Sequence, residues 1–80
     1  MEAVLEQLET LADMRKAAGL TQEEAGRQLG QLLGRKPYTH ARIVQIERDG
    51  TDTDSQIAAL AKMYDIPEEK VREAARRQRN

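Results

Sequence analysis

Residues 19–34 read GLTQEEAGRQLGQLLG and contain both the start and the end of one helix. Thr21 and Glu24 have the spacing of a capping box, in which each side chain accepts a hydrogen bond from the backbone N–H of the other residue. Gly34 is suited to end the helix because glycine readily adopts a left-handed conformation. The stretch therefore predicts a helix over residues 22–33. Its apolar positions, at helical spacing, are Ala25, Leu29, Leu32 and Leu33.

The segment before this stretch predicts another helix. Residues 3–19, AVLEQLETLADMRKAAG, have apolar side chains at the spacing of one helical face, and Gly19 is suited to end the helix. The two helices would then follow each other almost directly. The apolar positions of the first helix are Val4, Leu5, Leu8, Leu11, Met14 and Ala18.

A third helix is predicted after a short basic segment. Pro37 cannot continue a helix, because it has no N–H donor, and it restricts Lys36 to extended conformations. Thr39 is a good N-cap, so the third helix is predicted over residues 40–48. Its apolar stripe consists of Ile43 and Ile46.

Two more helices complete the prediction. Thr53 and Gln56 have the spacing of a second capping box, which opens a fourth helix. Residues 65–67, Asp-Ile-Pro, break that helix, and Pro67 suits the first position of a fifth. The apolar positions are Ile57, Leu60, Ala61 and Tyr64 in the fourth helix, with Tyr64 a core residue, and Val71, Ala74 and Ala75 in the fifth.

The composition agrees with a single all-α domain spanning residues 1–80. The chain lacks Phe, Trp and Cys and has one His, so the core must consist of aliphatic residues, and neither a disulfide nor a zinc site is expected. No cofactor is expected. No apolar run is long enough to span a membrane, and the N-terminus lacks a signal-peptide pattern, so we expect a soluble cytoplasmic protein.

The charge is unevenly distributed along the chain. The formal net charge is −1, yet residues 25–46 contain four basic residues and no Asp or Glu. Residues 1–24 and 47–69 are acidic, and residues 70–80 are basic. A local basic surface attracts anions even when the total charge is near zero. The basic residues of the acid-free window are Arg27, Arg35, Lys36 and Arg42.

Together these motifs resemble the phage repressor and Cro type of helix-turn-helix domain, also described as the xenobiotic-response-element-like type. The resemblance lies in GLTQEEAGRQLG (19–30), RIVQIERDG (42–50) and TDSQIAALAKMYDI (53–66), and it covers about residues 4–71. It implies a five-helix, lambda-repressor-like fold in which the third helix reads the major groove and the second crosses the DNA backbone.

The resemblance also implies roles for individual residues. Gln22 matches a phosphate-contacting position, and Thr39 matches the cap of the recognition helix. Arg42 matches a position that points at bases or backbone. Gly26 matches a position that requires a small residue between the second and third helices. The positions that face base edges are His40, Ala41 and Gln45.

The chain departs from the family pattern between the second and third helices. Eight residues, 31–38, separate Gly30 from Thr39, where the family has a much shorter turn. The insertion either forms a long arm, GRKPY, or lengthens the second helix and leaves a shorter basic loop. After the third helix, where the family often has phosphate-binding residues, the chain has acidic ones. These are Asp49, Asp52 and Asp54.

The acid-free window suits a surface that lies against DNA phosphates, because carboxylates would repel them and Lys or Arg would release counterions. We expect Arg35, Lys36 and Arg42 to carry this charge. Arg42 also suits guanine, and Gln45 suits adenine. Tyr38 either packs the inserted loop or touches the DNA. Arg27 is expected to pair with Glu23 or Glu24 instead of DNA.

The main functional hypothesis is a transcriptional repressor that binds a double-stranded DNA operator as a homodimer. The fifth helix and the chain end are the expected dimer surface, although the apolar face there is small. The alternative is a protein–protein interaction module of the antitoxin or anti-repressor type, which would bind a partner protein through residues 32–34. An enzyme is not expected, because one His without Cys or grouped carboxylates offers no catalytic constellation.

Overall fold

The computed structural model describes residues 8–78, which form five α-helices and no strand. The predicted all-α fold is confirmed. No helix within these residues is both long and apolar enough to cross a membrane. The helices are α1 (Leu11–Ala17), α2 (Gln22–Leu32), α3 (His40–Asp49), α4 (Asp54–Tyr64) and α5 (Glu68–Gln78).

One hydrophobic core joins all five helices. Tyr64 belongs to it, as predicted, and burial raises the pKa of its phenol, with a further contribution from the nearby Glu47 carboxylate. Burial of each large aliphatic side chain contributes roughly 1.5–3 kcal/mol, so the small domain depends on every helix. The largest fully buried side chains are Leu11, Met14, Leu29, Ile43, Ile57, Leu60 and Val71.

Helix α1 is shorter than the sequence predicted. Leu8 and Glu9 are not helical, and Thr10 is an extended N-cap whose hydroxyl oxygen accepts from the backbone N–H of Asp13 at 3.0 Å. Apolar residues occur at helical spacing on both sides of Thr10, so the periodicity gave no indication that the helix begins after it. The remainder of the prediction, over residues 3–7, lies outside the described residues.

The capping box at the start of α2 is confirmed. Thr21 Oγ1 accepts from the backbone N–H of Glu24, and Glu24 Oε1 accepts from the backbone N–H of Thr21, both at 3.0 Å. The bond from the Thr21 backbone N–H favours the carboxylate and is the main reason that the pKa of Glu24 is lowered.

The second predicted capping box, at the start of α4, is wrong. Thr53 is the N-cap by its backbone conformation, but its side chain makes no capping bond. The Gln56 side chain points into the protein instead of toward the backbone N–H of Thr53, and only 7% of the residue is exposed. Its amide bonds to Thr51 and Tyr38, because tertiary partners are within reach on the buried side of the helix.

Helix α5 packs its apolar face into the core. It begins one residue after Pro67, whose carbonyl oxygen accepts from the backbone N–H groups of Lys70 and Val71. Val71, Ala74 and Ala75 are all buried within the protomer. This apolar face is therefore not available to a second protomer, and a dimer through α5 and the chain end stays a prediction. A groove on the outer side of α5 is lined by charged residues, namely Glu69, Arg72, Glu73 and Arg76.

Candidate nucleic-acid interface

Helix α3 has one face in the core and one in solvent. It begins after Thr39, whose hydroxyl oxygen accepts from the backbone N–H of Arg42 at 3.1 Å, as predicted. Ile43 and Ile46 are buried, so the predicted apolar stripe is confirmed. Exposed residues of α3 include His40, Ala41, Arg42 and Gln45.

Arg42 and Gln45 are joined by a hydrogen bond on the exposed face of α3. Arg42 Nη1 donates to Gln45 Oε1 at 2.9 Å. A guanidinium group has five N–H donors and a carboxamide has two, so the pair keeps donors for a ligand after this bond is made. Both side chains have the chemistry to bind base edges in a major groove.

The segment between α2 and α3 is a compact loop. Helix α2 continues past Gly30 to Leu32, and a short basic loop follows it, so a long arm from residue 31 onward is not observed. Gly34 then has a φ of 66°, a left-handed conformation that glycine adopts without steric cost. The chain turns back there and runs along α2 as residues 35–38, which we call the strap.

Two glycines of α2 hold the strap through their carbonyl oxygens. Gly26 O accepts from the backbone N–H of Tyr38 at 3.0 Å, and Gly30 O accepts from that of Arg35 at 2.8 Å. Gly26 and Gly30 lie one turn apart on the same side of α2. The strap is therefore bonded to the helix near both of its ends.

The absence of side chains at these glycines allows the close approach. A β-carbon at position 26 would collide with the carbonyl oxygen of Tyr38, and one at position 30 would lie 2.7 Å from the Cα of Pro37. The sequence predicted a small residue at Gly26 for packing against the next helix. Ile43 of α3 would indeed be 3.3 Å from such a β-carbon, but the strap is closer.

The cations expected at the interface are exposed. Arg35 and Lys36 project from the strap, and Arg42 projects from α3. Arg27 is also exposed, but it makes no salt bridge among residues 8–78, so its predicted ion pair with Glu23 or Glu24 is wrong. Instead, its charge adds a minor Coulombic contribution that lowers the pKa of Glu24.

The fold brings carboxylates to the borders of this basic surface. The sequence between Ala25 and Ile46 is free of acids, but neighbours in space come from other segments. Asp49 is bonded twice to Arg48, both at 3.1 Å, which lowers the pKa of the Asp49 carboxyl. One groove contains Glu23 beside Tyr38, Thr39 and His40. Another contains Asp49 and Asp52 beside Arg42 and Gln45.

Gln22, the predicted phosphate contact, is half-buried at the start of α2. Its Nε2 donates to Glu47 Oε1 at 3.1 Å. Glu47 Oε2 also accepts a hydrogen bond from Arg15 Nε at 2.5 Å. Arg15 Nη1 donates to the carbonyl oxygen of Leu20 at 2.9 Å. Gln22 therefore belongs to a polar cluster that connects α1, α2 and α3, and its phosphate contact stays a prediction.

Tyr38 packs against the core and bonds to α4. Its phenol oxygen accepts from Gln56 Nε2 at 3.2 Å, and its ring is half-buried. Gln56 Oε1 in turn accepts from Thr51 Oγ1 at 2.6 Å. Of the two predicted roles for Tyr38, packing of the loop is observed, and a contact with DNA stays a prediction.

Three residues that organise this surface were not predicted from the sequence. Arg15 and Glu47 each follow an apolar residue by four positions, Leu11 and Ile43 respectively, so each occupies a core-facing position of its helix. A charge at such a position signals a buried partner. Gln56 gave no such signal, because its spacing from Thr53 also matched a capping box.

In a comparison with protein-family profiles, residues 8–74 match a helix-turn-helix domain. No curated protein and no solved structure matches the chain. The matched range begins before α1 and ends within α5, so it contains the whole of the candidate interface. The protein therefore belongs to the helix-turn-helix family of DNA-binding domains.

Proposed function

We propose that the protein is a sequence-specific transcriptional repressor of the phage repressor and Cro type. In this proposal α3 enters the major groove of double-stranded DNA, and Arg42 and Gln45 read base edges. His40 and Ala41 lie beside them near the helix start, at positions that we expect to face base edges as well.

One observation carries the proposal. Arg42 and Gln45 form a hydrogen-bonded pair on the exposed face of a helix whose opposite face is buried. A helix anchored in this way presents its polar groups at fixed positions, and fixed positions are what base discrimination requires.

The strap supplies the second part of the proposal. We infer that residues 31–38 are an insertion relative to the phage type, and that Arg35 and Lys36 bind DNA phosphates from it. The strap is bonded to Gly26 and Gly30, so little additional ordering is needed when DNA binds. These two phosphate contacts would give a salt slope of about −2 in a plot of log affinity against log salt.

The proposed active form is a homodimer on an operator with two half-sites. A two-fold symmetric protein requires a symmetric operator, with half-site centres about 34 Å apart or a multiple of this. Since the apolar face of α5 is buried in the protomer, contacts that a second protomer makes through this helix would be polar. We therefore infer a weak dimer that forms chiefly on DNA.

The test is selection of bound duplexes from a randomised library, followed by sequencing. We expect an enriched motif with dyad symmetry. The matched control is the double variant Arg42→Ala/Gln45→Ala, which keeps the buried face of α3 and should enrich no motif. A wild-type protein that enriches nothing above this control would contradict the proposal.

The alternative is a protein-interaction module, an antitoxin or anti-repressor, and one observation favours it. Leu32 is 40% exposed and is the one exposed large apolar residue among residues 8–78. It lies at the end of α2, next to the strap. Salt separates the two functions: duplex affinity should fall steeply as salt rises, whereas a protein-binding module should have no duplex affinity to lose.

A further inference from the structure

Gln56 connects the segments on either side of α3 through one buried side chain. Only 7% of the residue is exposed, and both ends of its carboxamide are bonded. Its Nε2 donates to Tyr38 Oη at 3.2 Å, and its Oε1 accepts from Thr51 Oγ1 at 2.6 Å. No buried side-chain polar atom in the described residues lacks a partner, so this small network is complete.

The two partners of Gln56 lie directly outside the ends of α3. Tyr38 precedes Thr39, the N-cap, and Thr51 follows Gly50, the C-cap. Thr51 Oγ1 also accepts from the backbone N–H of Thr53 at 3.3 Å, so the second partner is itself held in the loop before α4. A side chain of α4 therefore bridges the entrance and the exit of α3.

We propose that Gln56 is a positioning residue that fixes the orientation of α3, and thereby the register of Arg42 and Gln45 on DNA. The effect on DNA rests on the function proposed above. Gln56 acts through Tyr38 and Thr51, and needs no contact with DNA itself.

Hydrogen bonds are needed to fix the orientation of α3, because its apolar contacts with the core do not define one. The buried faces of Ile43 and Ile46 hold the helix against the core, but apolar contacts are non-directional and tolerate small rotations. The bond from Gln22 and the ion pair with Arg15 fix the helix at Glu47, and the backbone bond from Tyr38 to Gly26 holds the chain just before the helix but not after it. The bridge through Gln56 adds a constraint at each end.

Three variants remove the bridge with little change in shape. Gln56→Met removes both bonds, Tyr38→Phe removes one hydroxyl, and Thr51→Val removes the other. The control is Ile57→Val, which lowers stability by creating a small cavity at the next residue of α4 but leaves the bridge intact.

The first measurement is amide hydrogen exchange of the free protein, resolved by residue. We expect exchange of the α3 amides to accelerate at least threefold in Gln56→Met relative to Ile57→Val, after both are corrected for their global stability. Tyr38→Phe should have no further effect in the Gln56→Met background, because both variants remove the same bond. A general loss of packing would instead accelerate exchange in both single variants and add in the double variant.

The second measurement is the ratio of affinities for the duplex selected by the wild type and for a scrambled duplex of equal length. We expect Gln56→Met to reduce this ratio about tenfold, which is the order of one misplaced base contact. Affinity for the scrambled duplex and its salt slope should not change, because phosphate contacts tolerate small rotations.

Equal exchange in Gln56→Met and Ile57→Val would overturn the inference, and so would an unchanged affinity ratio. A wild-type protein that selects no duplex would overturn the proposed function instead. In that case the exchange measurement alone decides whether Gln56 holds α3.

Discussion

Arg15 and Glu47 form a salt bridge between α1 and α3, with 10% and 9% of their side chains exposed. The Nε–Oε2 distance is 2.5 Å, and a second N–O pair is 3.5 Å apart. The residues are 32 positions apart in the sequence. This bond therefore ties α3 to α1 next to the buried Ile46.

Removal of one partner should destabilise the domain strongly. We expect Arg15→Met or Glu47→Leu to lower the free energy of unfolding by about 3 kcal/mol or more, because the buried charge that remains has lost the opposite charge beside it. The double variant should recover most of this loss. Urea denaturation, monitored by circular dichroism, measures the free energy of unfolding of the single and double variants. Arg48→Ala breaks an exposed ion pair with Asp49 and should change stability little; an equally small effect of Arg15→Met would contradict the prediction.

Gly30→Ala should destabilise the protein, although alanine usually favours a helix by about 1 kcal/mol over glycine. The added β-carbon would lie in the space that Lys36 and Pro37 occupy, so we expect a net loss of about 1–3 kcal/mol from overpacking. Gln28→Ala, at an exposed position of the same helix, is the control. In thermal unfolding, the Tm of Gly30→Ala should lie below that of the wild type and the Tm of Gln28→Ala above it. A Gly30→Ala variant more stable than the wild type would show that the strap does not pack against α2.

Arg42→Ala and Gln45→Ala should each weaken binding to the selected duplex by about 1–3 kcal/mol and relax its sequence preference. Since the two side chains bond to each other, the losses should not be additive in the double variant. Fluorescence anisotropy with base-substituted duplexes measures both effects. If Gln45→Ala changed neither affinity nor preference, this side of α3 would not face the bases.

Lys36→Ala should weaken binding to all duplexes by the same factor. A lysine that contacts phosphate carries no sequence information, and its loss should make the salt slope shallower by about 1. Lys62→Ala removes an exposed lysine from α4, outside the strap and α3, and should leave the slope unchanged. Titrations of duplex at several salt concentrations measure the salt slope of each variant. Equal slopes for Lys36→Ala and Lys62→Ala would show that the strap does not contact DNA.

The capping box predicts a dependence of stability on pH. The pKa of Glu24 is below its ordinary value of 4.5, because the folded state bonds the carboxylate to the backbone and side chain of Thr21. Its stabilising effect is therefore complete above pH 4.5 and is lost as the pH falls through the lowered pKa. Glu24→Gln keeps a capping acceptor but cannot titrate. The stability advantage of the wild type over this variant should shrink below pH 4.5, and a constant difference across that range would argue against the box.

Local sequence rules predicted much of the fold because they describe contacts within a few residues. The caps at Thr21 and Thr39 and the burial of Tyr64 are examples. The rules failed where a distant partner decided the outcome. Gln56 had the spacing of a capping residue but bonds to Tyr38 instead, 18 positions away in the sequence.

For the candidate interface, the sequence predicted which residues are exposed but not their surroundings. His40, Arg42 and Gln45 are exposed on α3, as the apolar spacing of its buried stripe required. The acidic border of the surface was less predictable, because a window free of acids along the chain says nothing about neighbours in space. The acid-free segment lies beside Glu23 and Asp49 once the helices pack.

The sequence by itself determined the number of helices, the caps at Thr21 and Thr39 and the core faces, since periodicity and capping are properties of neighbouring residues. Only the tertiary structure decided how α3 is held. The strap on Gly26 and Gly30 and the Arg15–Glu47 bond form between segments that meet only after folding. Their geometry depends on the packing of all five helices, which no local pattern contains.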